Sequence, residues 1–370
     1  MDGNEPAEVV TAREPDASGP ASSAPVRAAA AVLLVLLVVA TLHLAAGVLV
    51  PVVEALVVWF LLNAVADGIA RVPVVGRRLP RGGALLLAAA GAFVVGFFVV
   101  ENSLRTVSDL GPRALNFRDA LDPVFASMAR LFGVPQDAMF DRVFDGLGLE
   151  QAIRQVVAAT ASTISQFSIV AIYVAFLLVD QQFFEAKLRR IVPDPERQAR
   201  VRALLGRIVG AIHAYLRVMA LVSILTAVLS YAILRAVGVE YAGFLATAIF
   251  FLNFIPTIGS ILGTILPVAF ALLQFQALWP AALVLAGVGL VQFLIGNVLL
   301  PRLAGGSLNI SLFVTLFALF AWGALWGVTG MFVAMPLTAI LIITLANFPS
   351  TRPYAIALSR TGDLEEAPGR

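Results

Sequence analysis

The sequence predicts an all-α, polytopic transmembrane protein in which two interrupted helical hairpins form an inverted repeat. Three observations lead there: an apolar excess laid out in long runs, arginines gathered between those runs, and two apolar stretches each broken in the middle. Hydrophobic residues make up 60% of the 370 positions and charged residues 13%. A soluble domain holds about 45–50% apolar and about 25% charged residues, so the excess is more than one buried core uses. The runs are long enough to cross a bilayer, and short charged stretches separate them.

Residues 1–25 mix Pro, Ala, Ser, Gly and both charge signs without apolar period, which predicts a disordered cytoplasmic tail. Residues 26–100 hold three spans: Val26 to Val50, Pro51 to Ile69 and Gly83 to Val100. The first run is too long for a signal-peptide core and leads straight into the second, so it is expected to stay in the chain. Residues 101–155 mix arginines with Asp109, Asp119, Asp122, Asp137, Asp141 and Asp145 and are expected to form an external amphipathic segment. Residues 156–207 give a fourth span, Val156 to Val179, then a cytoplasmic amphipathic helix. Residues 208–347 form the repeat core, with full spans at Ile208 to Leu234 and Leu278 to Leu300, and 348–370 form a cytoplasmic tail. Arg71, Arg77, Arg78 and Arg81, and later Lys187, Arg189, Arg190, Arg197, Arg200, Arg202 and Arg207, mark internal loops, placing both termini inside.

The two remaining apolar stretches, Tyr241 to Gln274 and Ser311 to Leu345, fit no simple crossing. Each is about 50 Å long as helix against a hydrocarbon core of about 30 Å. The first is interrupted at Asn253-Phe254-Ile255-Pro256-Thr257-Ile258-Gly259, the second at Gly323, Gly327, Val328, Thr329 and Gly330. Proline removes an amide donor and glycine lowers the cost of a bend, so each stretch is expected to enter the membrane and return. Span, hairpin, span, hairpin, with the two pairs entering from opposite sides, is an inverted repeat, an arrangement that places a binding site where the breaks meet.

Several kinds of chemistry are excluded. The chain has no cysteine, hence no disulfide, thiolate metal site or cysteine nucleophile. Two isolated histidines provide no metal site, no Gly-rich Lys-Ser/Thr loop cradles a nucleotide, and no nucleophile–base pair is visible, so neither an enzyme nor a cofactor is expected. The arginines form no continuous basic face for nucleic acid.

Non-helical backbone at membrane depth is tolerated only where it is buried or lines a wet cavity. The candidate pathway residues are therefore those at the breaks and on the intervening span: Asn253, Pro256, Thr257, Gly259, Ser260, Gln292, Asn297, Gly327, Thr329 and Gly330, with Asn309 a further neutral group. They offer donors and acceptors to a small polar solute without burying charge. Between Ile208 and Phe348 the single carboxylate is Glu240. Two other charges are candidates. Arg217 either donates to solute or to carbonyls freed at the Pro256 break, or snorkels to the interface; Glu54 faces either a cavity or the interface. Gly206/Gly210, Gly259/Gly263 and Gly323/Gly327 have the spacing of close helix packing.

The string Phe251 to Ser260 with Pro267, and the later run Gly296 to Gly305 followed by Trp322-Gly323, Gly327 to Met331 and Pro336-Leu337, resemble the motifs of the autoinducer-2 exporter family of membrane permeases. The resemblance in spacing and order covers about Tyr215 to Leu345, and the span pattern is similar over nearly the whole chain. It implies a multi-pass protein of the bacterial inner membrane that exports a small polar signal molecule, autoinducer-2; the inverted pair of hairpins, the neutral polar residues at the breaks and the lack of a carboxylate in the repeat core predict that it does so by alternating access. It also implies a homo-oligomer, in one form a pentamer, and in some members sodium–proton exchange, which would make a proton or sodium the coupling ion. Leu300 stands where many relatives carry a glutamate, so no role of that carboxylate transfers here. A monovalent cation–proton antiporter is the alternative function, and a non-transporting membrane scaffold the third. The orientation is open to test because the chain lacks cysteine: single cysteines at Gly76 and Arg197 should resist a membrane-impermeant maleimide in intact cells while one at Asp137 reacts. The reverse labelling pattern would overturn it.

Overall fold

A computed structural model describes residues 23–71, 80–114, 126, 130, 167–304 and 309–363. The expected amino-terminal tail, most of the external segment 101–155, the first part of the fourth span and the last residues of the carboxy-terminal tail lie outside the described residues. Among the described residues the regular secondary structure is helical, with one isolated bridge between Ile310 and Ser359. Seven of their helices are long and apolar enough to cross a membrane.

The chain divides into two compact units, residues 1–46 and 47–370. The first contains α1 (Ser23–Leu44), whose residues Val32 to Val39 are exposed apolar side chains. The second begins with α2 (Ala46–Arg71). The boundary between the first two helices falls at Ala45 rather than at Pro51, which lies inside α2. Pro51, the sixth residue of α2, leaves the Gly47 carbonyl without its helical donor near the start of the helix. The shift puts Glu54 about 12 Å along its helix instead of near a span end.

Then come α3 (Arg81–Ala114) and α4 (Phe167–Ile191), the latter with a 3₁₀ turn at Gln181–Phe183. Small side chains let α2, α3 and α4 pack together: Ala55 and Ala66 of α2 and Ala84 and Ala88 of α3 are buried with Leu62 and Val174. Trp59 Nε1 donates to Gln181 Oε1 at 2.9 Å across this bundle.

The expected cytoplasmic helix and fifth span are one element, α5 (Pro195–Val237), of 43 residues. Asp194 caps it by accepting from the Glu196 amide at 3.2 Å, Pro195 occupies the first turn, and Gly238 at φ 88° closes it. Nothing between Pro195 and Gly238 breaks a helix, so the change from charged to apolar composition marks only where α5 enters the apolar layer. At about 65 Å it is long enough to act as a spine. One of its faces packs Ile212, Leu216 and Met219 with Phe254, Val314 and Val333; farther along, Leu234 packs with Leu245, Ile249, Val284 and Val288.

The first long stretch is a hairpin: α6 (Ala242–Leu252) turns at 253–257 into α7 (Ile258–Phe275). Its open end is tied by Gln274, which accepts from the Glu240 amide and donates to the Gly238 carbonyl, both at 2.9 Å. α8 (Leu278–Leu303) follows and contains a π-helical turn at Ile295–Leu299. The second long stretch, α9 (Leu312–Ala346), loses helical geometry at Trp326 and Gly327. Trp322 Nε1 and Thr338 Oγ1 are 3.3 Å apart although 16 residues separate them, about 24 Å on a straight helix, so α9 also doubles back. A short α10 (Arg352–Leu358) ends the described structure, pinned where Asn309 donates to the Asp363 carbonyl and accepts from Thr361.

Both hairpins close on a glycine set against backbone. A Cβ on Gly259 would lie 1.8 Å from the Leu252 carbonyl oxygen, and one on Gly330 would lie 1.9 Å from that of Trp322. Gly206 and Gly210 instead face open space, so that pair does not pack as its spacing suggested. Gly259→Ala and Gly330→Ala are thus expected to destabilise the protein by about 1–3 kcal/mol, through backbone displacement. Gly206→Ala should be neutral or stabilising by up to about 1 kcal/mol. Thermal unfolding in detergent checks the contrast, and equal midpoints for all three variants would refute it.

Candidate functional site

The first break is a tightly bonded, strained turn. Ile255 N donates to Leu252 O at 2.8 Å, Gly259 N to Ile255 O at 2.9 Å, and Ile258 N to Pro256 O at 2.6 Å. This last bond makes a three-residue γ-turn centred on Thr257, which has φ 64° and ψ −57°. A β-branched residue at positive φ is an outlier, with a strain on the order of 1–3 kcal/mol. Asn253 caps α6, its amide bonded to Ile249 O at 3.0 Å. The second break uses a different device. Gly327, at φ 62° and ψ −142°, would meet nothing if given a Cβ, so glycine is required there for its backbone angle rather than for space.

The two breaks come together. Phe254, 2% exposed, stacks on Phe332 at a ring separation of 4.8 Å, and Trp326 packs into the same cluster. On the other side of the second break Thr329 Oγ1 donates to Glu54 Oε1 at 3.0 Å. The carboxylate that the sequence leaves outside the repeat core is therefore in contact with a hairpin tip.

Four neutral polar side chains form a second feature one turn away from the first break. Ser260 and Thr264 on α7 and Gln292 and Asn297 on α8 line a groove of about 340 Å³, together with Ile261, Ile265 and Phe293. Ser260 Oγ donates to Thr257 O and Thr264 Oγ1 to Ser260 O, each at 2.9 Å, and Asn297 Nδ2 donates to Phe293 O at 3.1 Å. Gln292 is 7% exposed, and its Nε2 has no hydrogen-bond partner among the described residues. Asn297 lies within the π-turn, an irregularity common at functional sites.

The expected site residues thus fall into two groups, the tips (Asn253, Pro256, Thr257, Gly259, Gly327, Thr329, Gly330, with Glu54) and the groove (Ser260, Gln292, Asn297). Arg217 joins neither: it is exposed, and Nε donates to the His213 carbonyl of its own helix at 3.1 Å. Asn309 holds the carboxy-terminal segment rather than a pathway. Among the described residues no group of acidic or histidine side chains is arranged to hold a metal. Thr264 was not singled out from sequence; its spacing of four from Ser260 on one helix face is the signal that points to it.

Membrane-crossing helices set beside two broken hairpins, with neutral polar groups at and below the breaks, define a multi-pass membrane transport protein. Residues 31–350 match the AI-2E family transporter, and the chain belongs to that family. It is 26% identical to the AI-2 transport protein TqsA of Escherichia coli K12 over 88% of this chain and 93% of that protein. It is also 26% identical, over 90% of this chain and 95% of the relative, to a Haemophilus influenzae protein to which transport has been assigned provisionally. A Borreliella burgdorferi protein with the same provisional description is 33% identical over 57% of each chain.

The Glu54–Thr329 contact makes a specific prediction. A hydrogen bond contributes about 0.5–1.5 kcal/mol, so Thr329→Val should raise amide hydrogen exchange at 327–331 by about 2- to 10-fold. Thr329→Ser should restore protection. Unchanged exchange in Thr329→Val would show that the contact does not hold the tip.

Proposed function

We propose that this chain moves a small, polar, uncharged solute across the bacterial inner membrane by alternating access, both termini facing the cytoplasm. The two span-plus-hairpin units, α5 with α6–α7 and α8 with α9, act as an inverted repeat moving against the more static α2–α4 bundle. What carries this proposal is the meeting of two broken hairpins, Phe254 on Phe332, beside a groove whose polar lining holds no charge. The matching closure of each hairpin, a glycine against a carbonyl seven or eight residues earlier, supports the repeat. A neutral lining suits a neutral solute, because desolvating a charge there would find no counter-charge. The relative named for AI-2 transport makes autoinducer-2, and with it quorum sensing, the first cargo to test. Export by a homo-oligomer, with the pentamer as the expected form, follows from the family resemblance.

Monovalent cation–proton exchange is favoured by one observation: Glu54, bonded to Thr329, places a carboxylate at the second break. Proteoliposomes separate the two functions. Labelled autoinducer-2 and small hydroxylated solutes are expected to accumulate or exit at rates that fall at least 10-fold in Gly327→Leu, whose side chain cannot adopt the required backbone angle. Sodium-driven proton flux that vanishes in Glu54→Gln, with no solute flux, would reject solute transport and establish the exchanger. Absence of both fluxes would leave the scaffold.

A further inference from the structure

We infer that the last turns of α4, Phe184–Ile191, form an interfacial helix that binds the headgroup of an anionic phospholipid between Lys187 and Arg190. The inference goes beyond the transport reading and does not depend on the cargo. Chain continuity fixes where this helix lies. α4 carries no charge from Phe167 to Val179 and meets its first at Asp180, so the span ends there. A 3₁₀ turn at Gln181–Phe183 follows, and Phe184 lies four residues past Asp180, about 6 Å along a helix. The last turns of α4 are therefore at the level of the lipid headgroups. They are also held there: Gln181 accepts from Trp59 of α2 at 2.9 Å, and Arg202 of α5 donates to Glu185 at 2.7 Å.

The side chains round this helix form two exposed surfaces of opposite character. Phe184, Leu188 and Ile191 stand at i, i+4 and i+7, on one face. Leu188 is buried, but Phe184 is 49% and Ile191 76% exposed, a stripe that acyl chains cover and water does not. Lys187 and Arg190, three residues apart and both exposed, flank that stripe, whereas Arg189 lies about 150° round the helix from it. Arg190 has no ion pair among the described residues, and Lys187 shares only a solvent-open pair with Asp180 at 3.2 Å. An apolar stripe with a cationic flank at the end of a span is the pattern of a helix that lies in the membrane surface. A zwitterionic headgroup offsets its own phosphate with an ammonium group. An anionic headgroup leaves its phosphate for the two cations.

The test uses the full-length protein, whose lack of cysteine lets single reporters be placed without background. Nitroxides at Phe184→Cys, Ile191→Cys and Arg189→Cys are read in nanodiscs of phosphatidylcholine mixed with phosphatidylglycerol. Labels at 184 and 191 are expected to collide mainly with oxygen dissolved in the acyl chains, and the label at 189 with a water-soluble nickel chelate. Labels at 184 and 191 as wet as the one at 189 would overturn the inference and leave the face to a soluble acidic partner. Charge selectivity is read in detergent by a bimane on Ile191→Cys, quenched by brominated phosphatidylglycerol or brominated phosphatidylcholine. Each cation beside an anionic lipid adds about 5-fold in affinity, so phosphatidylglycerol should quench at a concentration about 10-fold lower or less. Adding Lys187→Gln with Arg190→Gln should remove that advantage, and Lys187→Arg with Arg190→Lys should keep it. Arg235→Gln with Arg302→Gln, which removes two exposed cations elsewhere, should leave it within about 2-fold, because salt confines the effect to cations beside the headgroup. Equal quenching by both lipids, an advantage that survives the glutamine pair, or an equal loss in either control pair would each overturn the inference.

Discussion

Inside a hydrocarbon layer a helix that stops strands amide and carbonyl groups, each at a cost of several kcal/mol, and both hairpins turn within sequence that is apolar on either side. At the first turn the groups are recaptured by bonds closing over two to four residues, which compress the chain until Thr257 is forced to positive φ. At the second, Gly327 takes up the reversal in its own backbone angle. The two hairpins thus satisfy one constraint by different chemistry. In each case the turn is so tight that the next turn of helix lies on a carbonyl of the opposite arm, and only Gly259 and Gly330 leave room for it.

Everything else follows from holding those turns in place. α5 supplies one continuous surface for both, packing Leu216 and Met219 near the tips and Leu234 near the tied end of the first hairpin. Ser223, Thr226 and Ser230 form a fully buried stripe of small side chains on the same helix, which lets neighbouring backbones approach closely where larger residues would hold them apart. Aromatic stacking of Phe254 on Phe332 then joins the turns to each other, and such a pair adds about 0.5–1.5 kcal/mol beyond burial.

The hairpins were legible in the sequence because a length anomaly coincided with Pro256 and with Gly327 and Gly330, and both breaks lie where those residues put them. Boundaries set by composition were less reliable. Pro51 looked like a helix start but lies inside α2, since proline disturbs only the residues that precede it by a turn. The charged and apolar parts of α5 looked like two helices because polarity changes there, yet polarity does not break a helix. The contact between Glu54 and Thr329 spans 275 positions, and no local pattern encodes a pair so distant. The π-turn at Ile295–Leu299 has Gly296 inside it and Pro301 two residues beyond it, a signal that a reading by span length passes over, and it turns the region around Asn297 into part of the groove.

The placement of charge separates two kinds of chemistry that transporters often combine. The groove holds hydroxyls and amides, whose hydrogen bonds depend little on pH and are cheap to desolvate compared with ions. Glu54 is carried by α2, outside both hairpins, and touches the second break through the Thr329 hydroxyl. A substitution at Glu54 would therefore act on how firmly the tip is held to the surrounding bundle. The turns at Gly259, Gly327 and Gly330 are fixed by backbone geometry, whereas the polar lining of the groove depends only on the side chains that α7 and α8 carry.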